Sequence, residues 1–199
     1  MDKRLATSEI PQRDANMNEK NMSVPDGKCL VACFSRPGNN YLNGEIVNLP
    51  VGNTEVMARM IQEMTKGELF HIEAVNAYPA DYTKTTEVAQ AELRTSARPK
   101  LTRQVEKMDS YNLIFLGYPN WWGTMPMPVF TFLEHYDFSK KTIAPFCTHE
   151  GSGLGRSVSD IRKTCPQSEV LEGLAIRGGD VKNAGNDVSV WLRERGMKK

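Results

Sequence analysis

The sequence predicts an α/β fold in which a five-stranded parallel sheet carries helices on both faces. Two observations carry that expectation. Cys29–Phe34 and Leu113–Tyr118 are apolar at both odd and even positions, as strands covered on both faces require. Segments with strand character also alternate five times with segments whose apolar residues recur at helical spacing, the pattern of a doubly covered parallel sheet. The chain of 199 residues suits one domain with a full core.

Each element follows from its own pattern. After the first strand, Ser35 to Asn53 reads as a loop. Val56, Met57, Met60, Ile61 and Met64 then form a helical stripe that stops at Lys66-Gly67, a glycine stop. Leu69 to Val75 alternates, with His71 and Glu73 on one wetter face, as an edge strand does. Tyr82 to Ser96 is helical, with Val88, Ala91 and Leu93 among charges. Pro126 to Tyr136 is a helix whose prolines fall in the first turn, where no N–H is needed. Thr142–Cys147 is a strand, although Pro145 removes a ladder donor and requires a bulge or an unpaired position there. Leu154, Val158, Ile161 and Cys165 make a helical stripe, Val170–Ile176 the last strand, and Ala184, Val188, Trp191 and Leu192 the closing helix.

Composition narrows the function classes. With 25 basic and 24 acidic residues, the chain lacks the clustered positive charge of a nucleic-acid or anionic-membrane binder. No apolar run approaches the roughly 20 residues of a membrane span. Cys29 and Cys33, four apart on one strand, are separated by about 13 Å at 3.3 Å per residue, too far to bridge. No cysteine pair has zinc spacing and the three histidines are scattered, so no metal site is expected. The reading is reduced, buried thiols in a cytoplasmic protein. Residues 1–28 are polar, without apolar periodicity or a signal-peptide core, and read as a flexible arm ahead of a domain over 29–199. Such an arm is also what removal of a targeting segment leaves behind.

Open parallel sheets bind ligands beyond the carboxyl ends of their strands. Three loops leave those ends here. The first has Ser35-Arg36-Pro37-Gly38 at the strand end and Gly52-Asn53-Thr54-Glu55 at the helix start, an anion site of backbone N–H groups and helix dipole. The bland alternative is that Asn53 or Thr54 only caps the helix. The second is Pro119-Asn120-Trp121-Trp122-Gly123, whose indoles could stack on a planar ring system or roof the core. The third is Thr148-His149-Glu150-Gly151-Ser152-Gly153, a polar turn running into a helix. Gly151-Ser152-Gly153-Leu154-Gly155 is not a dinucleotide fingerprint, because its third glycine comes one position early. His71 with Glu73 reads as a solvated pair, and Cys147 as a buried thiol rather than a nucleophile.

Four segments together resemble the flavodoxin-like family: Phe34-Ser35-Arg36; Tyr78-Pro79-Ala80-Asp81-Tyr82; Gly117–Pro126 with its paired tryptophans; and Pro145–Gly153. The likeness covers about Cys29 to Arg195. It implies a three-layer sandwich, strand order 2-1-3-4-5, with noncovalent FMN held by Ser35, Arg36, Gly52, Asn53, Thr54, Pro119, Asn120, Trp121, Trp122, Gly123, Thr148, His149, Glu150, Gly151 and Gly153. One departure stands out. The family's phosphate loop runs straight into its helix, whereas here Pro37 to Val51 intervenes as an excursion beside the flavin, a lid or a partner surface. Gly38-Asn39-Asn40 competes for the phosphate role, but Gly52-Asn53-Thr54 directly precedes the amphipathic helix. Trp121 is expected nearer the flavin, because it stands closer to the strand end. An apolar wall without a nearby lysine disfavours an anionic reduced flavin. The expected activity is oxidoreduction from NAD(P)H to a quinone or similar small acceptor. The alternatives are a one-electron carrier between protein partners and a non-catalytic flavin-binding module. Near-neutral charge argues against the carrier, which needs steering charge.

Overall fold

The computed structural model describes residues 28–196. Apart from Lys28, which opens the first strand, the expected arm lies outside them. The central sheet contains β1 (Lys28–Cys33), β4 (Glu68–His71), β5 (Tyr111–Pro119), β6 (Thr142–His149), β7 (Glu169–Val170) and β8 (Leu174–Arg177). All its pairings are parallel, in the order β4-β1-β5-β6, with β7 and β8 both on the outer side of β6. Counting β7 and β8 as one interrupted strand, the order is the expected 2-1-3-4-5.

That interruption answers the Pro145 question. Leu171 N–H donates to the Ile143 carbonyl at 2.9 Å, so Ile143 directs its backbone groups toward the last strand. Pro145, two residues on, faces the same way with no N–H to offer. The partner breaks there, between Val170 and Leu174, and resumes opposite Phe146.

Five helices cover the sheet: α1 (Asn53–Thr65), α2 (Tyr82–Thr95), α3 (Met127–His135), α4 (Ser157–Thr164) and α5 (Gly185–Glu194). Val31 and Cys33 of β1 join Phe115 and Phe146 under Met57 and Ile61 of α1 and Val188 and Trp191 of α5. Leu30 and Ala32 of the same strand join Ile114 and Leu116 under Val129 and Phe132 of α3 and Ile161 of α4. Adjacent residues of one strand thus enter opposite cores, which is why no polar alternation appears in its sequence. The stop of α1 differs from expectation: Lys66, not Gly67, takes the left-handed turn (φ 59°) and donates its N–H to Gln62. Gly67 is required for space, since a Cβ there would sit 2.8 Å from the Cys29 sulfur. The edge strand is also shorter than expected, ending at His71, and His71 Nδ1 lies 4.0 Å from a carboxylate oxygen of Glu55.

The expected loop between β1 and α1 is a β-hairpin, β2 (Gly38–Leu42) and β3 (Glu45–Leu49), outside the main sheet. Its turn is Asn43-Gly44, both with positive φ (52° and 96°), as a two-residue type I′ turn demands. The dipeptide between alternating flanks is the strongest short hairpin signal a sequence offers, and it is present here.

Packing across the sheet yields one test. A Cβ on Gly117 of β5 would fall 2.1 Å from the ring of Phe146, a side chain with no exposure. Gly117→Ala should therefore lower unfolding free energy by about 1–3 kcal/mol in a urea titration, the usual range for overpacking a core. Gly185→Ala, with nothing within 4 Å of its Cβ, should stay within about 0.5 kcal/mol of the parent. Equal stabilities for the two would show that the ring moves aside freely.

Candidate functional site

The carboxyl edge of the sheet carries a cavity of about 440 Å³, built from the first loop upward. Helix α1 begins at Gly52, which offers no side-chain cap. The cap comes from across the excursion: Ser35 Oγ accepts from Glu55 N–H at 3.1 Å. Neither Asn53 nor Thr54 caps the helix, and their own N–H groups donate to nothing among the described residues. Gly52 is forced by proximity, since a Cβ would lie 2.3 Å from Ser35 Oγ and 2.6 Å from the Arg36 carbonyl. The Thr54 hydroxyl is buried and meets that of Thr148 at 2.7 Å, tying the helix start to the end of β6. One proton satisfies that contact, so one of the two hydroxyls keeps its proton for the cavity.

Arg36 reaches the cavity wall with its terminal nitrogens on backbone and its buried Nε without a partner among the described residues. It donates to the carbonyls of Pro37, Pro79 and Ala80, and in a short contact to Asn39. This clamps the root of the hairpin to the segment leading into α2. Burial lowers its pKa, with Asp81 and Tyr82 pulling the other way. At the far end, Asn43 N–H donates to Glu150 Oε2 at 3.0 Å, and Arg177 Nε lies 3.6 Å from the same oxygen. The hairpin therefore spans the edge from the β4–α2 connection to the loop after β6.

The two tryptophans divide. Trp121 is half-buried, edge-on to Phe34 at 5.3 Å and to Tyr78 at 5.1 Å. Trp122 is 48 % exposed, sits in a left-handed backbone (φ 54°) and donates its indole N–H to the Thr86 carbonyl at 3.1 Å. Both line the cavity. Asn120 holds their loop: its N–H donates to Thr148, its amide nitrogen to the Gly153 carbonyl at 2.8 Å, and its amide oxygen accepts from Gly123 N–H at 3.0 Å.

In the third loop, Gly151 N–H donates to His149 Nδ1 at 2.9 Å. Nδ1 is thereby an acceptor, and neutral His149 carries its proton on Nε2. Burial lowers the His149 pKa, Glu150 raises it and Arg177 lowers it. Cys147, two residues before the end of β6 and so inside a strand longer than the expected Thr142–Cys147, has a thiol pushed up to about 12 by burial and is held as the neutral thiol. All four cysteines are buried and unbridged.

Of the fifteen residues expected at the site, the cavity is lined by Ser35, Arg36, Gly52, Asn53, Thr54, Pro119, Asn120, Trp121, Trp122, Thr148, His149 and Glu150. Gly123, Gly151 and Gly153 do not line it. They shape the loops instead, each with positive φ, and Gly123 and Gly153 bond to Asn120. Gly155, the misplaced third glycine of the decoy, packs against the Gly123 carbonyl, which a Cβ would approach to 2.3 Å.

A family profile described as flavodoxin matches residues 47–194. The chain belongs to the flavodoxin family. Among solved structures, a protein of Bacteroides eggerthii described as a flavoprotein is 26% identical, covers 86% of this chain and 99% of its own, and superimposes with a TM-score of 0.70. One from Bacteroides uniformis is 24% identical over 84% and 98% of the two chains, with a TM-score of 0.64. A flavoprotein of Lactobacillus acidophilus solved in complex with FMN is 23% identical over 82% and 99%, with a TM-score of 0.58. No curated protein matches the sequence. No helix of the described residues is long and apolar enough to cross a membrane.

For this flavodoxin-family chain, the cavity also takes Asn40 and Tyr41 from the excursion and Tyr82 from the Tyr78–Tyr82 segment, none of which was assigned as a cofactor residue, and Thr85, Thr86, Ala89 and Gly178, which sequence reasoning missed. Asn40 and Tyr41 were findable, because Asn43-Gly44 announces the hairpin that presents them. Thr85, Thr86 and Ala89 of α2 belong to no motif of the strand ends, and only the packed fold brings that helix to the edge.

The His149 geometry sets a pH dependence. Its folded pKa lies below the ordinary value, so as pH falls through about 6.5 the unfolded chain takes the proton first. This contribution to stability is intact above that pH and is lost as pH drops toward the folded value. Urea unfolding between roughly pH 8 and pH 5 should show a steeper fall for the parent than for His149→Gln. Identical slopes would mean that burial does not bias the imidazole toward its neutral form.

Proposed function

We propose that this protein binds FMN and works as an oxidoreductase, passing electrons from NAD(P)H to a quinone or similar small acceptor. The observation that carries the cofactor assignment is the start of α1. Two N–H groups without protein partners stand at a helix N-terminus, in a cradle that Gly52 keeps clear, with the Thr54 and Thr148 hydroxyls beside it. That donor set fits one phosphate. Helix α2 also reaches the cavity, but its first turn is capped by the Asp81 carboxylate, which accepts from Lys84 N–H at 2.8 Å and would repel a second. A mononucleotide therefore suits the site better than a dinucleotide. The fold shared with an FMN-bound flavoprotein supports the same reading.

Ser35, Gly52, Asn53 and Thr54 would hold the phosphate; Trp121 and Trp122 would wall the ring; Asn120 and the 148–150 backbone fix the loop that meets its polar edge. Bound FMN would supply the hydride acceptance and electron transfer. The chain's part is binding, exclusion of water and a wall without large net charge, because the Arg36 cation is faced by the Asp81 and Glu150 carboxylates and burial favours neutral His149. The hairpin lying across the edge favours a small acceptor over direct docking of a protein on the ring.

Acid extraction of the purified protein should release FMN, and the flavin absorbance should bleach on adding NADH or NADPH and return with a quinone under anaerobic conditions. FAD as the main species would refute the single-phosphate site; reduction by dithionite alone would favour a carrier. Thr54→Ala should weaken FMN by about 1.5–3 kcal/mol more than riboflavin, the scale of a hydrogen bond to a charged group. Equal loss for both ligands in equilibrium titrations would confine Thr54 to its bond with Thr148.

A further inference from the structure

The mouth of the cavity carries aromatic rings that the three strand-end loops do not supply. Tyr41 comes from β2 and Tyr82 opens α2, and both line the cavity. Their rings are 29° from parallel with centroids 6.1 Å apart. Tyr41 is 43 % exposed, so this stack is not part of the core. Trp122, also exposed, lines the same cavity and is held by the Thr86 carbonyl of α2. Large rings kept open at a cavity mouth are what a site for a flat ligand presents.

Charge decides which flat ligand. The terminal nitrogens of Arg36 donate to backbone carbonyls and one Glu150 oxygen meets Asn43 N–H and Arg177, while Arg36 Nε and the other Glu150 oxygen are buried without a partner among the described residues. The start of α2, directly at Tyr82, already holds the Asp81 carboxylate. On the tyrosine side the one arginine is thus faced by the Asp81 and Glu150 carboxylates, which leave no net positive charge there to attract an anion, while the inner end at α1 offers N–H donors without a carboxylate of this kind. Taking FMN at that inner end as proposed above, we propose that Tyr41 and Tyr82 form the binding surface for the second substrate, an uncharged planar aromatic of the quinone class.

The test titrates oxidised, FMN-loaded protein with 2-methyl-1,4-naphthoquinone, alongside FMN titration of the apoprotein. Tyr41→Ala and Tyr82→Ala should each weaken the naphthoquinone roughly tenfold while FMN affinity stays within about twofold, and Tyr→Phe at either position should restore quinone binding. Retained FMN affinity reports that the variants are folded. Unchanged quinone binding in both alanine variants overturns the assignment, as does a parent that binds no quinone. FMN affinity falling in step with quinone affinity also overturns it, because the rings would then hold the cofactor. A parent that takes no FMN at all fails at the first titration, which marks failure of the cofactor reading and not of the tyrosines alone.

Discussion

The structure turns on one close approach: the Cα of Gly52 against Ser35 and Arg36. The chain leaves β1 at Ser35, makes a complete hairpin, and must return to within contact of the point it left before α1 can begin. A Cβ at residue 52 would overlap both the Ser35 hydroxyl and the Arg36 backbone. Because the return is that tight, Ser35 can cap a helix that starts eighteen positions later in the chain, accepting from Glu55 N–H. The remaining first-turn donors stay open. An uninterrupted loop would achieve this by local geometry alone, whereas here the glycine and the serine replace sequence adjacency with spatial adjacency.

The same closure explains why the hairpin is ordered against the domain. Its root is fixed by the Arg36 guanidinium on the carbonyls of Pro79 and Ala80, and its tip by Asn43 on Glu150. A two-stranded hairpin alone is marginal in water, so these end contacts are what place Tyr41 at the mouth. The β4–α2 connection, the hairpin and the loop after β6 thereby become one assembly. Asn120 adds the tryptophan loop to it by bonding to Thr148 and Gly153.

How much of this could be read in the residues follows from whether a feature is local. The doubly buried strands β1 and β5 were visible because their neighbours on both faces exclude polar residues at every position. The need for an unpaired place at Pro145 was visible from its missing N–H; that β7 and β8 would break there was a matter of the partner, 25 or more residues away. Ser35 and Gly52-Asn53-Thr54 were readable as a helix-start anion site. That Ser35 rather than Asn53 or Thr54 supplies the cap was not, since it depends on the return of the excursion. The sequence separated the two tryptophans only by their distance from the strand end, whereas in the structure Phe34 and Tyr78 fix Trp121 while Trp122 stays open. Distance from the strand end does not carry that distinction; the neighbours do.

Charge placement ties the site together. The cavity wall includes Arg36, His149 and Glu150, each bonded to the protein itself: the arginine's terminal nitrogens to carbonyls, the imidazole to Gly151 N–H, and one carboxylate oxygen to Asn43 N–H beside Arg177, with Arg36 Nε and the other Glu150 oxygen left without partners among the described residues. Besides these two atoms, the open polarity of the site lies at the start of α1, where it comes from backbone dipoles that do not titrate. On the reading proposed above, an anion would be held there without a mobile cation beside it. On the same reading, charge appearing on a bound ring would meet Arg36 and Glu150, of opposite sign, on the same wall, so no unbalanced counter-charge answers it and states in which a proton accompanies the electrons are favoured. The near-balance of 25 basic and 24 acidic residues in the whole chain is consistent with that economy of local charge, and the hairpin, pinned at both ends, keeps it from being answered by a docking protein's surface.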